Sequence, residues 1–196
     1  MNDRPPTRRS APRLQKPQTP LGLAVRVQSR RWRALLEPTD LRAHIAQAVE
    51  AGLAVAPVTP LQGAELSLLL TDDKRIRTVN RDWRGFDKAT NVLSFPAVPP
   101  DRIARSPVLG DIVLALETIA REAQAEDKSF TDHLSHLVIH GLLHLLGEDH
   151  ETEEEAVRME RLETLALERL GIADPYADTE PLNSPSLSIE ARSATS

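Results

Sequence analysis

The chain contains no cysteine. That excludes disulfides and thiolate ligands, so any metal centre must be built from His, Asp or Glu. Aromatic residues are also scarce, at 3%, which leaves Leu, Val, Ile and Ala to fill the core. No apolar run approaches the ~20 residues that cross a bilayer. The N-terminus lacks an apolar stretch between its charges and a small-residue cleavage site, so it does not read as a secretory signal. A cytoplasmic location is the expectation, with no membrane partner. Positive charge is outnumbered: 24 Lys and Arg stand against 29 Asp and Glu, for a net charge of −5. An acidic body argues against broad, nonspecific binding of nucleic acid, which depends on neutralising phosphates. It leaves room for a local basic cleft.

What is present reads as an ordinary globular protein. Hydrophobic residues make up 40% and charged residues 27% of 196, which suits one domain with ragged ends. Five of the fifteen prolines fall in residues 1–20, beside Arg4, Arg8, Arg9, Arg13 and Lys16. Residues 177–196 are similarly polar and aperiodic. Neither end has enough apolar surface to offset the entropy of ordering. Residues 1–20 are therefore expected to be a disordered basic tail, 21–176 the domain, and 177–196 a second disordered tail.

Within the domain, strand and helix patterns alternate. Leu21 to Gln28, Glu65 to Leu70, Asn91 to Phe95 and Gly110 to Leu116 read as strands. Thr39-Asp40 is expected to cap a helix that stops at Gly52, and Thr71-Asp72-Asp73 to start another reaching Trp83. A third helix should follow Leu116, with Ala120 and Ala123 on one side. His133 to Leu146 reads as a long helix, and Glu151 to Leu170 as an amphipathic one closed by Gly171. The expected fold class is α+β: a single domain, with a small mixed sheet packed by helices and a central, buried, His-bearing helix.

The chemistry concentrates at His140-Gly-Leu-Leu-His144-Leu-Leu-Gly147-Glu-Asp-His150. Leu137, Val138, Ile139, Leu142, Leu143, Leu145 and Leu146 make the stretch apolar almost all round, the mark of a buried helix. His140 and His144 are four apart and share one face. Gly147 can take a positive φ and end the helix, so His150 can return toward the first two rings. Three neutral imidazoles leave a fourth tetrahedral position open, the layout of a catalytic zinc site with one Zn2+ per chain. His136, one turn earlier, is an alternative ligand, but is expected to support the site or lie on the surface; His133 and His44 are expected to be solvated. The same His spacing occurs in metzincin proteases, where glutamate follows the first His as general base. Gly141 occupies that position, which demotes a peptidase on chemical grounds.

The histidine block resembles the H-G-x-L-H-L-x-G-x-D-H motif of the YbeY family of bacterial ribosomal-RNA maturation factors. Asn80-Arg-Asp-Trp83-Arg84-Gly-Phe-Asp87-Lys88-Ala89-Thr90-Asn91-Val-Leu-Ser94-Phe95-Pro96 is similar to a second family block. Leu109-Gly110-Asp111-Ile112 and Asp174-Pro175-Tyr176 match further stretches. The resemblance runs over about residues 21–176. Two positions depart from it: Ala89 replaces a usual Pro, and Glu148 replaces a common aromatic, which places another carboxylate near the histidines. The resemblance implies a zinc-dependent, single-strand-specific endoribonuclease. Its zinc would sit on His140, His144 and His150, and Arg84 would be catalytic. It further implies maturation of the 3′ end of small-subunit ribosomal RNA and ribosome quality control. The implied partners are single-stranded RNA and the small ribosomal subunit or its assembly factors; DNA is not expected. A guanidinium at Arg84 suits that role, since it can bind two phosphoryl oxygens at once. The alternative for Arg84 is a surface ion pair with Asp82 or Asp87. Asp149 is the nearest candidate for a general base, with capping the turn or holding His150 as its other role. Asn91 and Ser94 either line the cleft or hold the strand edge. Two rival functions are a metallopeptidase and a ribosome-assembly binding module whose zinc is mainly structural.

Overall fold

Alternation gives each strand two faces. In β1 (Gly22–Val27) the residues Leu23, Val25 and Val27 join one core, as do Leu66, Leu68 and Leu70 of β2 (Glu65–Thr71). The computed structural model describes residues 21–35 and 37–177; the expected tails, 1–20 and 177–196, lie outside the described residues except for Ala177. Its sheet has the order β1-β2-β4-β3, where β3 is Val92–Pro96 and β4 is Val108–Ala115. β1, β2 and β4 run parallel, and β3 pairs antiparallel with β4 at the edge. Parallel neighbours need crossovers, and α1 (Pro38–Val55) supplies the first. This is the mixed sheet packed by helices that the sequence pattern implies.

The larger core lies on the face covered by α1, α4 (Phe130–Leu145) and α5 (Glu153–Glu168). A smaller cluster of Ile76, Leu93, Val113 and Ala115 fills the opposite face, beneath α2 (Asp73–Arg84). Helix α3 (Leu116–Ala125) follows β4 directly and packs on α2 and α4. Helix α4 is the central element, touching α1, α3, α5, β3 and β4. Leu134, Val138, Ile139, Leu142 and Leu143 on it are wholly buried. Each such side chain favours folding by about 1.5–3 kcal/mol, so the helix is held firmly and its histidines with it.

Local signals set the helix ends. The Asp72 carboxylate accepts from the Arg75 N–H, Ser129 caps α4, and Thr152 with Glu155 forms a capping box on α5. One expected stop is wrong: α1 continues through Gly52 to Val55. Gly52 faces α4 instead, where an added Cβ would come within 2.9 Å of Leu142. Two histidines expected in solvent are also engaged. His133 is buried, with Nε2 bonded to Glu122 of α3 at 2.9 Å. His44 of α1 places Nε2 2.8 Å from both the Thr131 carbonyl and the Ser135 hydroxyl. Both face a neighbouring helix, which polar identity alone does not reveal.

Candidate metal centre

Helix α4 ends in a turn that Gly147 enables. Its φ is +90°, a left-handed conformation that side-chain-bearing residues resist. The Glu148 N–H returns to the Leu143 carbonyl at 3.0 Å, and the chain doubles back with His150. Asp149 steadies that residue by accepting its backbone N–H at 2.9 Å. One nitrogen from each of His140, His144 and His150 lies within 4.8 Å of the others. The three residues singled out by spacing are therefore brought together, as a group that could hold a metal ion.

The hydrogen bonds fix which nitrogens face inward. His140 Nδ1 bonds the Glu163 carboxylate at 2.8 Å, and His144 Nδ1 bonds the Glu148 carbonyl at 3.0 Å. Carboxylates and carbonyls only accept, so both Nδ1 atoms carry hydrogen. In neutral rings each Nε2 then bears a bare lone pair. These two Nε2 atoms face each other at 3.2 Å, a repulsive arrangement that a shared cation would relieve. Burial, and next the charge of His140, lower His144 from its usual 6.5 to about 4. At neutral pH it is thus in the form that binds metal.

Glu163 is the important residue that spacing did not single out. It is 1% exposed, on the core face of α5 beside Met159 and Leu167. Besides His140, it accepts from His136 Nε2 at 2.6 Å and from the Tyr176 hydroxyl. Burial alone would raise its pKa, but the hydrogen bonds from His136 and His140 outweigh it and hold the carboxyl at about 2. A buried charge survives only when fully partnered, and this one has three partners. The legible signal was a lone carboxylate four residues from Met159 and from Leu167, inside an apolar stripe. His136 therefore supports the site through Glu163 and is not grouped with the other three. Tyr176 ties the C-terminal end of the domain to the same carboxylate.

Beside the histidines lies an open cleft of about 650 Å³, lined by Arg84, Phe86, Ser94, His144, Asp149 and His150 among others. Arg84 sits in the last turn of α2. The acids expected to pair with it are taken: Asp87 by Arg77 through two bonds of 2.8 Å, and Asp82 by Arg81. Arg84 itself has no hydrogen bond or ion pair among the described residues. Buried Asn80 donates to the Lys88 carbonyl at 2.9 Å, so the loop after α2 is fastened back to the helix. Glu148 does not present its carboxylate to the histidines as expected; it is buried against Arg158 at 2.6 Å. Ser94 lines this cleft, whereas Asn91 bonds Glu122 and the Val92 N–H at the strand edge and lines a second cleft on the His136 and His140 side.

Gly141 explains itself once α4 is docked. An added Cβ would lie 3.0 Å from the Ser94 hydroxyl and 3.2 Å from Ile112. The position is pressed against side chains of the sheet, and a larger residue such as a glutamate base needs Ser94 and Ile112 to give way.

The fold and the histidine cluster define an α+β protein with a metal-type site opening on a cleft that Arg84 borders on one side and Asp149 and Glu151 on the other. Comparison with known proteins gives the family. Residues 26–171 match the family model described as endoribonuclease YbeY. Endoribonuclease YbeY of Nitrobacter hamburgensis is 50% identical over 189 residues, covering 91% of this chain and 96% of its own. That of Rhizobium meliloti is 59% identical over 124 residues, covering 62% and 73%. The chain belongs to the YbeY family and is a hydrolase of the endoribonuclease class.

Proposed function

We propose that this chain is a zinc-dependent, single-strand-specific endoribonuclease that acts in the cytoplasm. Its task would be ribosomal-RNA processing at the 3′ end of the small-subunit RNA, in company with the small subunit or its assembly factors. The observation that carries the zinc reading is the pair of bare Nε2 atoms 3.2 Å apart. Nitrogens held 2.0–2.1 Å from a tetrahedral zinc lie about 3.3 Å from each other. His140, His144 and His150 would hold the ion, with Glu163 and the Glu148 carbonyl orienting the first two rings. When bound, zinc supplies a nucleophile at neutral pH by lowering the pKa of a coordinated water to about 7.

The remaining parts are the chain's own. Arg84, exposed and unpaired on the cleft, would bind the phosphodiester and the charge that builds on its oxygens. Asp149 has one oxygen engaged by the His150 N–H and lines the cleft, so its other oxygen is the available proton acceptor. The ribosomal substrate is supported by the resemblance of the motif blocks. A peptidase is disfavoured by the packing of Gly141, and a purely structural metal by the open cleft beside the histidines.

The test is single-turnover cleavage of a defined single-stranded RNA by the wild type and by Arg84→Lys, with zinc content and melting curves alongside. Lysine keeps the charge but cannot contact two oxygens at once. Folded, zinc-loaded Arg84→Lys should lose most cleavage. Wild-type rates in that variant would remove Arg84 from the mechanism, and cleavage by zinc-free protein would remove the metal.

A further inference from the structure

Only two of the chain's six aromatic side chains are strongly exposed, and they flank Arg84. Trp83 is 76% and Phe86 59% accessible. The other aromatics are covered: Trp32 is buried with Phe130 edge-on to it, while Phe95 and Tyr176 are partly buried. Exposed rings are unfavourable in water, and a chain with so few aromatics places both beside the cleft that holds the histidines. Phe86 lines that cleft with Arg84, His144 and His150. Trp83 leans edge-on against Phe95 at 5.8 Å, next to the cleft residues Ser94 and Pro96.

We propose that Phe86 and Trp83 form a stacking platform for unpaired bases of the substrate RNA, and that this platform makes the cleft select single strands. The proposal rests on the ribonuclease reading above. Every nucleobase has a face that stacks on an aromatic ring, but in a duplex those faces are hidden by neighbouring base pairs. A base lying on Phe86 sets the adjoining phosphate beside Arg84, which the rings bracket in sequence. The positive charge a polyanion needs sits at the aromatic rim, where Arg84 is unpaired and Lys88 holds its ammonium 6.0 Å from the centre of the Phe86 ring, while the acids of the cleft, Asp149 and Glu151, flank His150 in the chain. The platform is built in advance. Asn80 and the Arg77–Asp87 pair fasten the loop that carries Phe86, so stacking need not order it.

The test compares a short, unstructured, end-labelled oligoribonucleotide with the same strand in a duplex. Anisotropy gives Kd for the full-length wild type, Trp83→Leu, Phe86→Leu, Trp83→Phe and Phe86→Tyr. Both sites are exposed, so folding and metal content should not change, and each is checked. Each leucine variant should bind the single strand about five-fold to a hundredfold more weakly. The aromatic replacements should stay near the wild type, and the duplex should bind weakly throughout. Because Trp32 is buried, wild-type tryptophan emission should report the single strand through Trp83. Unchanged affinity in both leucine variants, with RNA still cleaved, would overturn the platform and leave the ribonuclease reading intact. Weak binding that leucine supports as well as an aromatic would point to a protein-docking patch and also overturn it. A wild type that neither binds nor cleaves RNA would overturn both.

Discussion

Replacing Glu163 by Gln probes the buried network at its centre. The substitution keeps shape and one acceptor oxygen but puts an amide NH2 where the second oxygen receives His136 and Tyr176. Whichever way the amide turns, one of its two sides meets a donor. His140 then loses its charged partner or His136 does, and the inward-facing tautomer of His140 is no longer enforced. Changes to groups that orient a metal-bound imidazole typically weaken metal affinity 10–100-fold, and that range is expected for zinc here. The metal-free protein gives a second, independent readout. Glu163 is held at about 2 against an ordinary 4.5, which corresponds to about 3 kcal/mol. Because the folded value is the lower one, this stability is present above pH 4.5 and is lost as pH falls toward 2. Chelator competition would measure the zinc affinity, and denaturant melts across the acid range would measure the pH dependence. If Glu163→Gln bound zinc as tightly as the wild type and kept the same acid profile, the orienting role would be wrong.

The remaining predictions concern the rest of the site. His140→Ala, His144→Ala and His150→Ala should each lose most bound zinc by elemental analysis, whereas His136→Ala should retain it, because its Nε2 is committed to Glu163; full retention in two of the first three would break the three-histidine assignment. Gly141→Ala should cost about 1–3 kcal/mol in a urea melt, since its Cβ crowds Ser94 and Ile112, and an unchanged midpoint would show that these side chains give way. His144, lowered by burial from 6.5 to about 4, should remain neutral in the folded chain while the unfolded chain takes up a proton. Its contribution to stability is therefore full above 6.5 and falls away between 6.5 and 4, a dependence that His144→Gln should remove from the melting profile.

The parts of this protein that were legible in the sequence are those set by local periodicity. The strands, the buried helix and the shared face of His140 and His144 follow from repeats of 2 and 3.6, and Gly147 announces the turn that returns His150. The start of α2 at Asp72 was legible from its capping side chain, whereas Thr39-Asp40, expected to cap α1, falls inside a helix that begins after Glu37. Residues whose meaning depends on another element were not. Glu163 lies 23 positions from His140 and becomes its partner only because α5 packs on α4. His133 and His44 look like solvent-facing residues until α3 and α1 close over them. Gly52 looks like a stop signal, yet it serves as the place where α1 approaches Leu142. Arg84 stands near Asp82 and Asp87 in sequence, and only the folded helix shows that Arg81 and Arg77 occupy those acids. Local sequence fixes dihedral preferences and which face a side chain shares. Which groups share a buried charge or a cleft is decided by contacts between elements distant in the chain, and these form only when the core closes.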